Sequence, residues 1–341
     1  MSAPTHELVR PCMSALRTVS ITATGFYVPD RVMTNADLEK IVDTSDEWIF
    51  TRSGIRERHI AAEDQATSDL AAAAAQRAME SAGVTPDEID FILVATCTPD
   101  MTFPSTACLV QKLIGAKNAA CLDVSAACSG FLYAMDIARQ YIACGAKQTI
   151  LVIGAEKMSS VMDWTDRATC VLFGDGAGAA ILQAREAKYG LLTSVLGSDG
   201  TLNELLMVPA GGSRQPASHE AIEQGLTCIR MAGREVFKHA VTGMAGAARE
   251  ALLRCGANIE DVACIIPHQA NSRIIQAVGQ KLGVPMDRFF MNLERYGNTS
   301  AASVIMALDE AVRIGRVQRG DLVLLVVFGA GFTWAASLLE W

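Results

Sequence analysis

The chain has 341 residues, half of them hydrophobic and 19% charged, with a formal net charge of -8. A chain of this length holds two modest domains or one large fused domain around a sizeable core. The negative charge argues against a nucleic-acid binder, which presents a basic face. It leaves room for an anionic substrate that is held by local positive charge.

The N-terminus and the longest apolar runs contain no targeting or membrane signal. Residues 1–18 lack the continuous apolar segment of a signal peptide, and we interpret them as a short leader. The first predicted strand is VSITATGFYV, residues 19–28. The apolar runs at 91–96 and 322–330 have strand length and are far shorter than a membrane span.

Two segments of the chain repeat the same order of predicted elements. Residues 73–100 and 246–271 each contain an alanine-rich amphipathic helix, a glycine stop, an acidic turn and an apolar strand. The glycine stops are Gly83 and Gly256. The likeness continues downstream in two further pairs of segments: 109–130 with 277–300, and 145–156 with 319–331.

This repeat predicts the fold class and the domain organisation. Alternating helices and strands favour mostly parallel sheets covered by helices, so we predict an α/β fold with two duplicated halves and pseudo-twofold symmetry. The halves are predicted at 19–190 and 191–341. Ligand sites in such folds lie at the carboxyl ends of the strands. Cys128 and Asn298 follow the two glycine stops by 45 and 42 residues, so we expect them in matching places.

The ten cysteines have neither the CxxC spacing of zinc sites nor the regular spacing of a disulfide framework. We expect reduced thiols in a cytoplasmic protein, packed mostly as small core hydrophobes. Cys128 differs because it stands in DVSAACSGF, where an apolar run meets a helical one. The helix N-terminus is expected to lower its pKa, and its own N–H could serve as an oxyanion donor. A buried, inert thiol is the alternative.

Two polar residues also follow apolar strands. His268 in IIPHQANSRII and Asn298 in NLERYGNTSAASVIMAL each precede an amphipathic helix. Each has an ordinary alternative, a cap or surface group for the histidine and a turn or N-cap for the asparagine. Their matching positions favour one site shared with Cys128. A backbone N–H of the glycine-rich segment 328–334 could complete an oxyanion hole there.

The motifs CSGF, PHQAN, YGNTSAAS and FGAGFTW, in this order and spacing, resemble the 3-oxoacyl-acyl-carrier-protein synthase III family of the thiolase superfamily. Residues 43–61 and 165–180 resemble it too, and the likeness runs from about Val19 to Trp341. The resemblance implies a thiolase-like, five-layered αβαβα fold and a homodimer. It also implies a catalytic trio: Cys128, His268 and Asn298.

The resemblance implies a decarboxylating condensation that starts type II fatty acid synthesis from a short acyl-CoA, expected to be acetyl-CoA, and malonyl-acyl carrier protein. Cys128 would accept the acyl group while the N–H groups of Cys128 and Ala330 hold the oxyanion. His268 and Asn298 would then donate hydrogen bonds to the malonyl thioester oxygen. Loss of carbon dioxide itself creates the carbon nucleophile. No metal or cofactor is therefore expected, and CoA enters only within the substrate.

The resemblance also assigns binding residues. Those expected to hold CoA are Trp48, Arg52, Arg167, Gly233, Phe237 and Asn271. Phe103 is expected to reach across the homodimer and close the acyl pocket. The acidic carrier protein is expected on a basic face formed by Arg234, Lys238, Arg273 and Lys281. Solvated surface charges for the arginines and a core position for Phe103 are the alternatives.

Two positions depart from the family pattern. Ala330 stands where the family usually has glycine, and Ala168 stands where glycine is common after Arg167. Neither is expected to remove activity. Two rival functions remain: a related enzyme of secondary metabolism with another acceptor, and a non-catalytic acyl-CoA-binding homologue. The sequence does not fix the length or branching of the primer.

Overall fold

A computed structural model describes residues 16–185 and 190–341. Residues 1–15, most of the predicted leader, lie outside the described residues. The strands are β1 Val19–Tyr27, β2 Arg31–Thr34, β3 Glu57–Ile60, β4 Phe91–Ala95, β5 Ala120–Val124, β6 Thr149–Glu156, β7 Gly176–Ala184, β8 Gly190–Ser198, β9 Leu206–Met207, β10 Arg230–Met231, β11 Cys264–Pro267, β12 Leu322–Gly329 and β13 Thr333–Glu340. The helices are α1 Asn35–Leu38, α2 Asp46–Ser53, α3 Thr67–Ala82, α4 Thr106–Ile114, α5 Gly130–Ala143, α6 His219–Glu223, α7 Gly233–Cys255, α8 Ser272–Leu282, α9 Leu293–Tyr296 and α10 Ser303–Arg313.

The predicted glycine stops end their helices as the sequence indicated. Gly83 follows α3 with φ 66°, and Gly256 follows α7 with φ 62°. Both values lie in the left-handed region, which glycine enters without a Cβ penalty. Each N–H bonds back to a carbonyl of the last helical turn, so that the chain reverses towards the next strand.

The two main sheets repeat one topology. The first has the order β1-β7-β6-β4-β5, and the second has the order β8-β13-β12-β11. In both sheets the first two pairings are antiparallel and the next is parallel. An isolated parallel bridge between Ile265 and Phe289 stands where β5 stands in the first sheet. The predicted duplication is therefore confirmed strand by strand.

The layers follow the sequence pattern of each helix. Helices α5 and α10 contact strands of both sheets and form the central layer, whereas α3 and α4 pack on the first sheet and α7 packs on the second. Helix α8 lies against α7 and shares the hydrophobic core of the second sheet through Ile275 and Val278. Helix α5 carries buried residues along its length, as expected of a helix enclosed by two sheets. The predicted five-layered αβαβα fold is confirmed. The predicted domain boundary, next to the start of β8, stays a prediction.

The structure corrects the predicted pairing of Cys128 with Asn298. A 3₁₀ turn at Ala127–Ser129 leads directly into α5, and another at Ser300–Ala302 leads directly into α10. Each turn begins with a residue of positive φ, 45° at the first and 50° at the second. Cys128 is the second residue of its turn, but Asn298 precedes the matching turn by two residues. The residue that matches Cys128 is Ala301, since each follows its glycine stop by 45 residues and is the second residue of its turn.

The cysteines only partly meet expectation. The nine cysteines within the described ranges are all free, and Cys170 and Cys264 are buried as predicted. Cys97, Cys108 and Cys144 are exposed residues, so the core packing expected of them is wrong, although the thiol of Cys97 points inward and bonds the buried Glu156. No helix among the described residues is long and apolar enough to cross a membrane.

Candidate active site

A cavity of about 530 Å³ lies between the two halves, and the predicted trio of Cys128, His268 and Asn298 lines it together. The cavity walls are mainly apolar. They are formed by residues of the segment between β6 and β7, of α7 and of β12, including Val171, Phe173, Val236, Ala240, Met244 and Phe328. An apolar chamber with a few converging polar groups is typical of a site for an acyl chain and a reactive centre.

Cys128 lies where the 3₁₀ turns of the two halves meet. The strand β12 approaches so closely that a Cβ added at Gly329 would be 2.8 Å from the Cys128 backbone nitrogen. Burial raises the pKa of the Cys128 thiol to about 12, and the charge of Glu156 adds to this, whereas a hydrogen bond with Ser300 opposes it. The sequence predicted a lowered pKa, and that prediction is wrong. The thiol is buried, and the groups acting on it include no cation.

His268 follows β11 and is held by two hydrogen bonds. Its backbone N–H donates to the carbonyl of Val326 at 2.8 Å, and its ring Nδ1 lies 2.7 Å from the Oγ of Ser303. Burial lowers the pKa of His268 to about 4, so the ring is neutral at pH 7. When the Ser303 hydroxyl donates to Nδ1, the ring proton resides on Nε2, which is then a donor.

Asn298 is positioned by backbone bonds on both sides. Its N–H donates to the carbonyl of Leu172 at 2.8 Å, and its carbonyl accepts from Gly174 at 3.1 Å. The side-chain Oδ1 accepts from the Ser300 N–H at 2.8 Å, which assigns the amide orientation. The NH₂ group has no partner among the described residues. It is therefore a donor available to a ligand in the cavity.

Three supporting residues were missed by the sequence reasoning. Ser303 bonds His268, Ser300 bonds Asn298, and Glu156 bonds Ser300. The serines stand inside YGNTSAAS, a segment that was singled out only for its asparagine. Glu156 ends β6 in an otherwise apolar strand, and a carboxylate in such a run was the available signal.

The predicted CoA residues gather at the cavity. Two guanidinium groups lie over the Trp48 ring, with Cζ of Arg52 4.5 Å and Cζ of Arg167 4.9 Å from its centroid. This arrangement provides cation–π contacts and positive charge around one aromatic ring. Five of the six predicted residues line the cavity: Trp48, Arg52, Gly233, Phe237 and Asn271. Arg167 does not line it, although the neighbouring Ala168 does.

The other predicted residues lie at or beyond the cavity mouth. Arg234 and Arg273 line the cavity. Lys238 on α7 and Lys281 on α8 do not line the cavity. Lys238 pairs with Glu235 at 3.2 Å, and Lys281 bonds Thr242. Ala330 does not line the cavity, but the preceding Gly329 does.

Phe103 is 82% exposed and takes no part in lining the cavity of its own chain. The core position that was its alternative is therefore wrong. An exposed phenylalanine is available to a second chain.

Comparison with known proteins gives consistent matches. The sequence model described as 3-oxoacyl-[acyl-carrier-protein] synthase III matches residues 122–200, and the model of its C-terminal part matches 252–341. The beta-ketoacyl-[acyl-carrier-protein] synthase III of Caldanaerobacter subterraneus subsp. tengcongensis is 56% identical over 94% of this chain and 97% of its own length.

Solved structures agree over nearly the whole chain. The 3-oxoacyl-[acyl-carrier-protein] synthase III from Aquifex aeolicus VF5 has a TM-score of 0.88 and 49% identity, covering 95% of this chain and 100% of that one. The priming beta-ketosynthase from the R1128 polyketide biosynthetic pathway has a TM-score of 0.88 and 37% identity, covering 98% of both chains. The duplicated fold and the cysteine-centred cavity define a thiolase-like condensing enzyme. Within that class, the chain belongs to the 3-oxoacyl-[acyl-carrier-protein] synthase III family.

Proposed function

We propose that this acyltransferase condenses a short acyl-CoA primer, acetyl-CoA first among them, with malonyl-acyl carrier protein. The products are 3-oxoacyl-acyl carrier protein, CoA and carbon dioxide, and the reaction initiates type II fatty acid synthesis. The observation that carries the proposal is the single apolar cavity lined by Cys128, His268 and Asn298, with Trp48 and Arg52 also on its wall. Each of these groups has a role in the two half-reactions.

In the first half-reaction the sulfur of Cys128 attacks the thioester carbon of the acyl-CoA. The bond from carbon to the CoA sulfur breaks, and the thiol proton ends on the departing CoA. The backbone N–H groups of Cys128 and Ala330 hold the oxyanion, which the positive end of α5 also stabilises. Trp48 stacks on the adenine while Arg52 and Arg167 face its phosphates.

In the second half-reaction malonyl-acyl carrier protein enters and loses carbon dioxide. The electron pair of the broken bond passes towards the thioester oxygen, which accepts hydrogen bonds from His268 and Asn298. Both groups are neutral donors, since burial keeps His268 unprotonated above about pH 4. The enolate carbon then attacks the acyl group on Cys128, the carbon–sulfur bond breaks, and the departing Cys128 thiolate takes up one proton from solvent to restore the free thiol. Neither half-reaction requires a metal or a redox cofactor.

The carrier protein and a second copy of the chain complete the proposed assembly. The acidic carrier protein binds at the basic face of α7 and α8, formed by Arg234, Lys238, Arg273 and Lys281. The enzyme acts as a cytoplasmic homodimer, in which the exposed Phe103 of one subunit closes the acyl pocket of the other. The pantetheine arm passes Gly233, Phe237 and Asn271 on its way to the sulfur.

The test separates the two half-reactions. Radiolabelled acetyl-CoA should acylate wild type and the matched control Cys108→Ala, but not Cys128→Ala. His268→Ala and Asn298→Ala should still self-acylate yet lose condensation with malonyl-acyl carrier protein, by a factor of about 100 or more. A wild type that takes no label from any short acyl-CoA would rule out the enzymatic function.

A second candidate function rests on the similarity to the priming beta-ketosynthase of a polyketide pathway. The chemistry would be the same, but the primer or the acceptor carrier protein would differ. A panel of straight, branched and longer acyl-CoA primers, assayed against fatty acid and polyketide carrier proteins, separates the two. A higher kcat/KM with the fatty acid carrier protein supports the first proposal.

A further inference from the structure

A buried carboxylate lies close to the reactive cysteine without lining the cavity. Glu156 ends β6 with no exposed surface. Its Oε1 accepts from the N–H and the Sγ of Cys97, both at 3.2 Å, and from Ser300 Oγ at 3.0 Å. Its Oε2 accepts from Thr98 Oγ1 at 2.6 Å, Thr98 N–H at 3.1 Å and Thr96 Oγ1 at 3.1 Å. Every one of these neighbours is a donor.

Burying the charged form of a carboxyl group lowers the free energy of unfolding. No lysine, arginine or histidine forms an ion pair with Glu156 in the described part of the chain. Burial raises the pKa of its carboxyl group, and the surrounding donors offset only part of that rise. An apolar or amide side chain of similar size would avoid the desolvation cost of the charged form. The carboxylate therefore points to function.

Ser300 connects this carboxylate to the reaction site. Its hydroxyl donates to Glu156, and its N–H donates to the Oδ1 of Asn298. Its backbone has φ 50°, a left-handed conformation that a serine adopts only when its surroundings hold it. A single strained residue thus holds the carboxylate with its side chain and the catalytic amide with its backbone.

The same carboxylate acts on the sulfur of Cys128. The Ser300 hydroxyl lies beside the Cys128 sulfur as well as beside Glu156, and its one proton can be donated to only one of them at a time. Donated to the sulfur, it lowers the pKa of the Cys128 thiol, whereas the charge of Glu156 raises that pKa. The other titratable groups near this sulfur are Cys97, which follows β4, and His268, which follows β11. Neither is charged at neutral pH, because burial raises the pKa of Cys97 well above its usual value and lowers that of His268. When it is ionised, Glu156 is therefore the charged group that acts on Cys128.

We propose that Glu156 is a positioning residue for the condensation. Its carboxylate fixes the Ser300 turn, which aims the Asn298 amide into the cavity and sets the Ser300 hydroxyl between Glu156 and the sulfur of Cys128. This assignment rests on the function proposed above. It adds a residue outside the cavity that controls both the nucleophile and one of the two donors.

The first test removes the negative charge of Glu156 and keeps the size and shape of its side chain. In Glu156→Gln the amide nitrogen fits beside Ser300 Oγ and Cys97 Sγ, each of which can turn to accept a hydrogen bond. We expect the midpoint of the pH profile for alkylation of Cys128 by iodoacetamide to fall by about one unit. Mass spectrometry of the Cys128 peptide separates this thiol from the exposed cysteines.

Asp175→Asn is the matched control. Asp175 is another fully buried carboxyl group, bonded to Ser159 and to the N–H of Ala61, with no bond to Ser300. We expect this variant to lose stability as Glu156→Gln does, but to keep the wild-type alkylation profile. Equal profiles for Glu156→Gln and wild type would overturn the electrostatic half of the proposal.

The second test separates the half-reactions. Glu156→Gln and Ser300→Gly should retain self-acylation by acetyl-CoA within about threefold, while kcat for condensation falls about tenfold or more, since one oxyanion donor is misaimed. Ser300→Gly removes the hydroxyl and tolerates the positive φ, so it keeps the test decisive if Glu156→Gln does not fold. Parallel loss of both half-reactions would reduce Glu156 to a structural role.

Failure of this inference is distinguishable from failure of the proposed function. A wild type that does not condense acetyl-CoA with malonyl-acyl carrier protein contradicts the proposed function. The alkylation profiles need neither substrate, so they still decide whether Glu156 acts on Cys128.

Discussion

His268 and Cys128 are both neutral groups in the resting cavity, and burial is the shared cause. It lowers the pKa of the imidazole to about 4 and raises that of the thiol to about 12. A site built this way holds no ion pair between cysteine and histidine. The histidine is therefore available as a neutral donor, which suits a reaction in which negative charge develops only on the substrate.

The neutral histidine makes folding stability depend on pH. The pKa of His268 is about 4 in the folded protein and about 6.5 when unfolded, so between these values the unfolded chain binds the extra proton. Stability should therefore fall as pH drops from about 6.5 to 4, by about 3 kcal/mol in total from this group. Urea unfolding of wild type and His268→Gln at pH 7 and at pH 4.5 measures the difference. A stability loss of equal size in both proteins would contradict the prediction.

At the residue scale, the sequence could indicate the groups that react but not the groups that support them. Cys128, His268 and Asn298 follow apolar strands in motifs that can be seen in one segment of chain. Their partners are remote, since Ser303 is 35 residues from His268 and Glu156 is 144 from Ser300. Such pairs depend on how two sheets and two turns meet, which periodicity does not encode.

At the scale of elements, the contact between the two halves depends on the absence of side chains. A Cβ at Gly154 in β6 would lie 2.4 Å from the carbonyl oxygen of Ala301, and one at Gly329 in β12 would lie 2.8 Å from the backbone nitrogen of Cys128. Both glycines have ordinary φ values, so space, not conformation, requires them. They allow the two 3₁₀ turns to approach each other and bring Cys128 next to Ser300.

Gly154→Ala should therefore displace the Ser300 turn. Backbone atoms cannot yield as a flexible side chain does, so we expect a loss of about 1–3 kcal/mol in the free energy of unfolding and a larger loss in condensation than in acylation. Gly246→Ala is the control, because nothing lies within 4 Å of its added Cβ on α7. It should gain up to about 1 kcal/mol from helix propensity. Chemical denaturation checks both values, and an unchanged Gly154→Ala would refute the packing argument.

The order of helices and strands was predictable because the sequence repeats it in its two halves. Helix α3 with its glycine stop and β4 reappear as α7 with its stop and β11, and each copy supports the other. Counting from the glycine stops matches Cys128 with Ala301, each 45 residues after its stop, but it does not reveal that Asn298, three residues before Ala301, is the polar residue of the site. Asn298 is held there by backbone bonds to Leu172 and Gly174, which belong to a remote segment of the first half.

At the scale of the whole molecule, the β5 edge of the first sheet is where we expect a second chain to bind. Strand β5 lies at the end of the sheet order, with Leu122 44% exposed. The nearby segment before α4 carries Met101 at 47% and Phe103 at 82% exposure. An edge strand with exposed apolar side chains is a template for pairing with another chain. The proposed homodimer would extend the sheet across β5 and cover these side chains.

Leu122→Lys should convert the proposed dimer into a monomer. A lysine on each paired edge places like charges opposite one another and removes apolar contact. Light scattering after size-exclusion chromatography measures the mass, and condensation should fall with it because Phe103 of the second subunit no longer closes the acyl pocket. Leu253→Lys is the control, since Leu253 is 75% exposed on α7 in the other half. A wild-type monomer, or a dimer that survives Leu122→Lys with full activity, would show that β5 is not the interface.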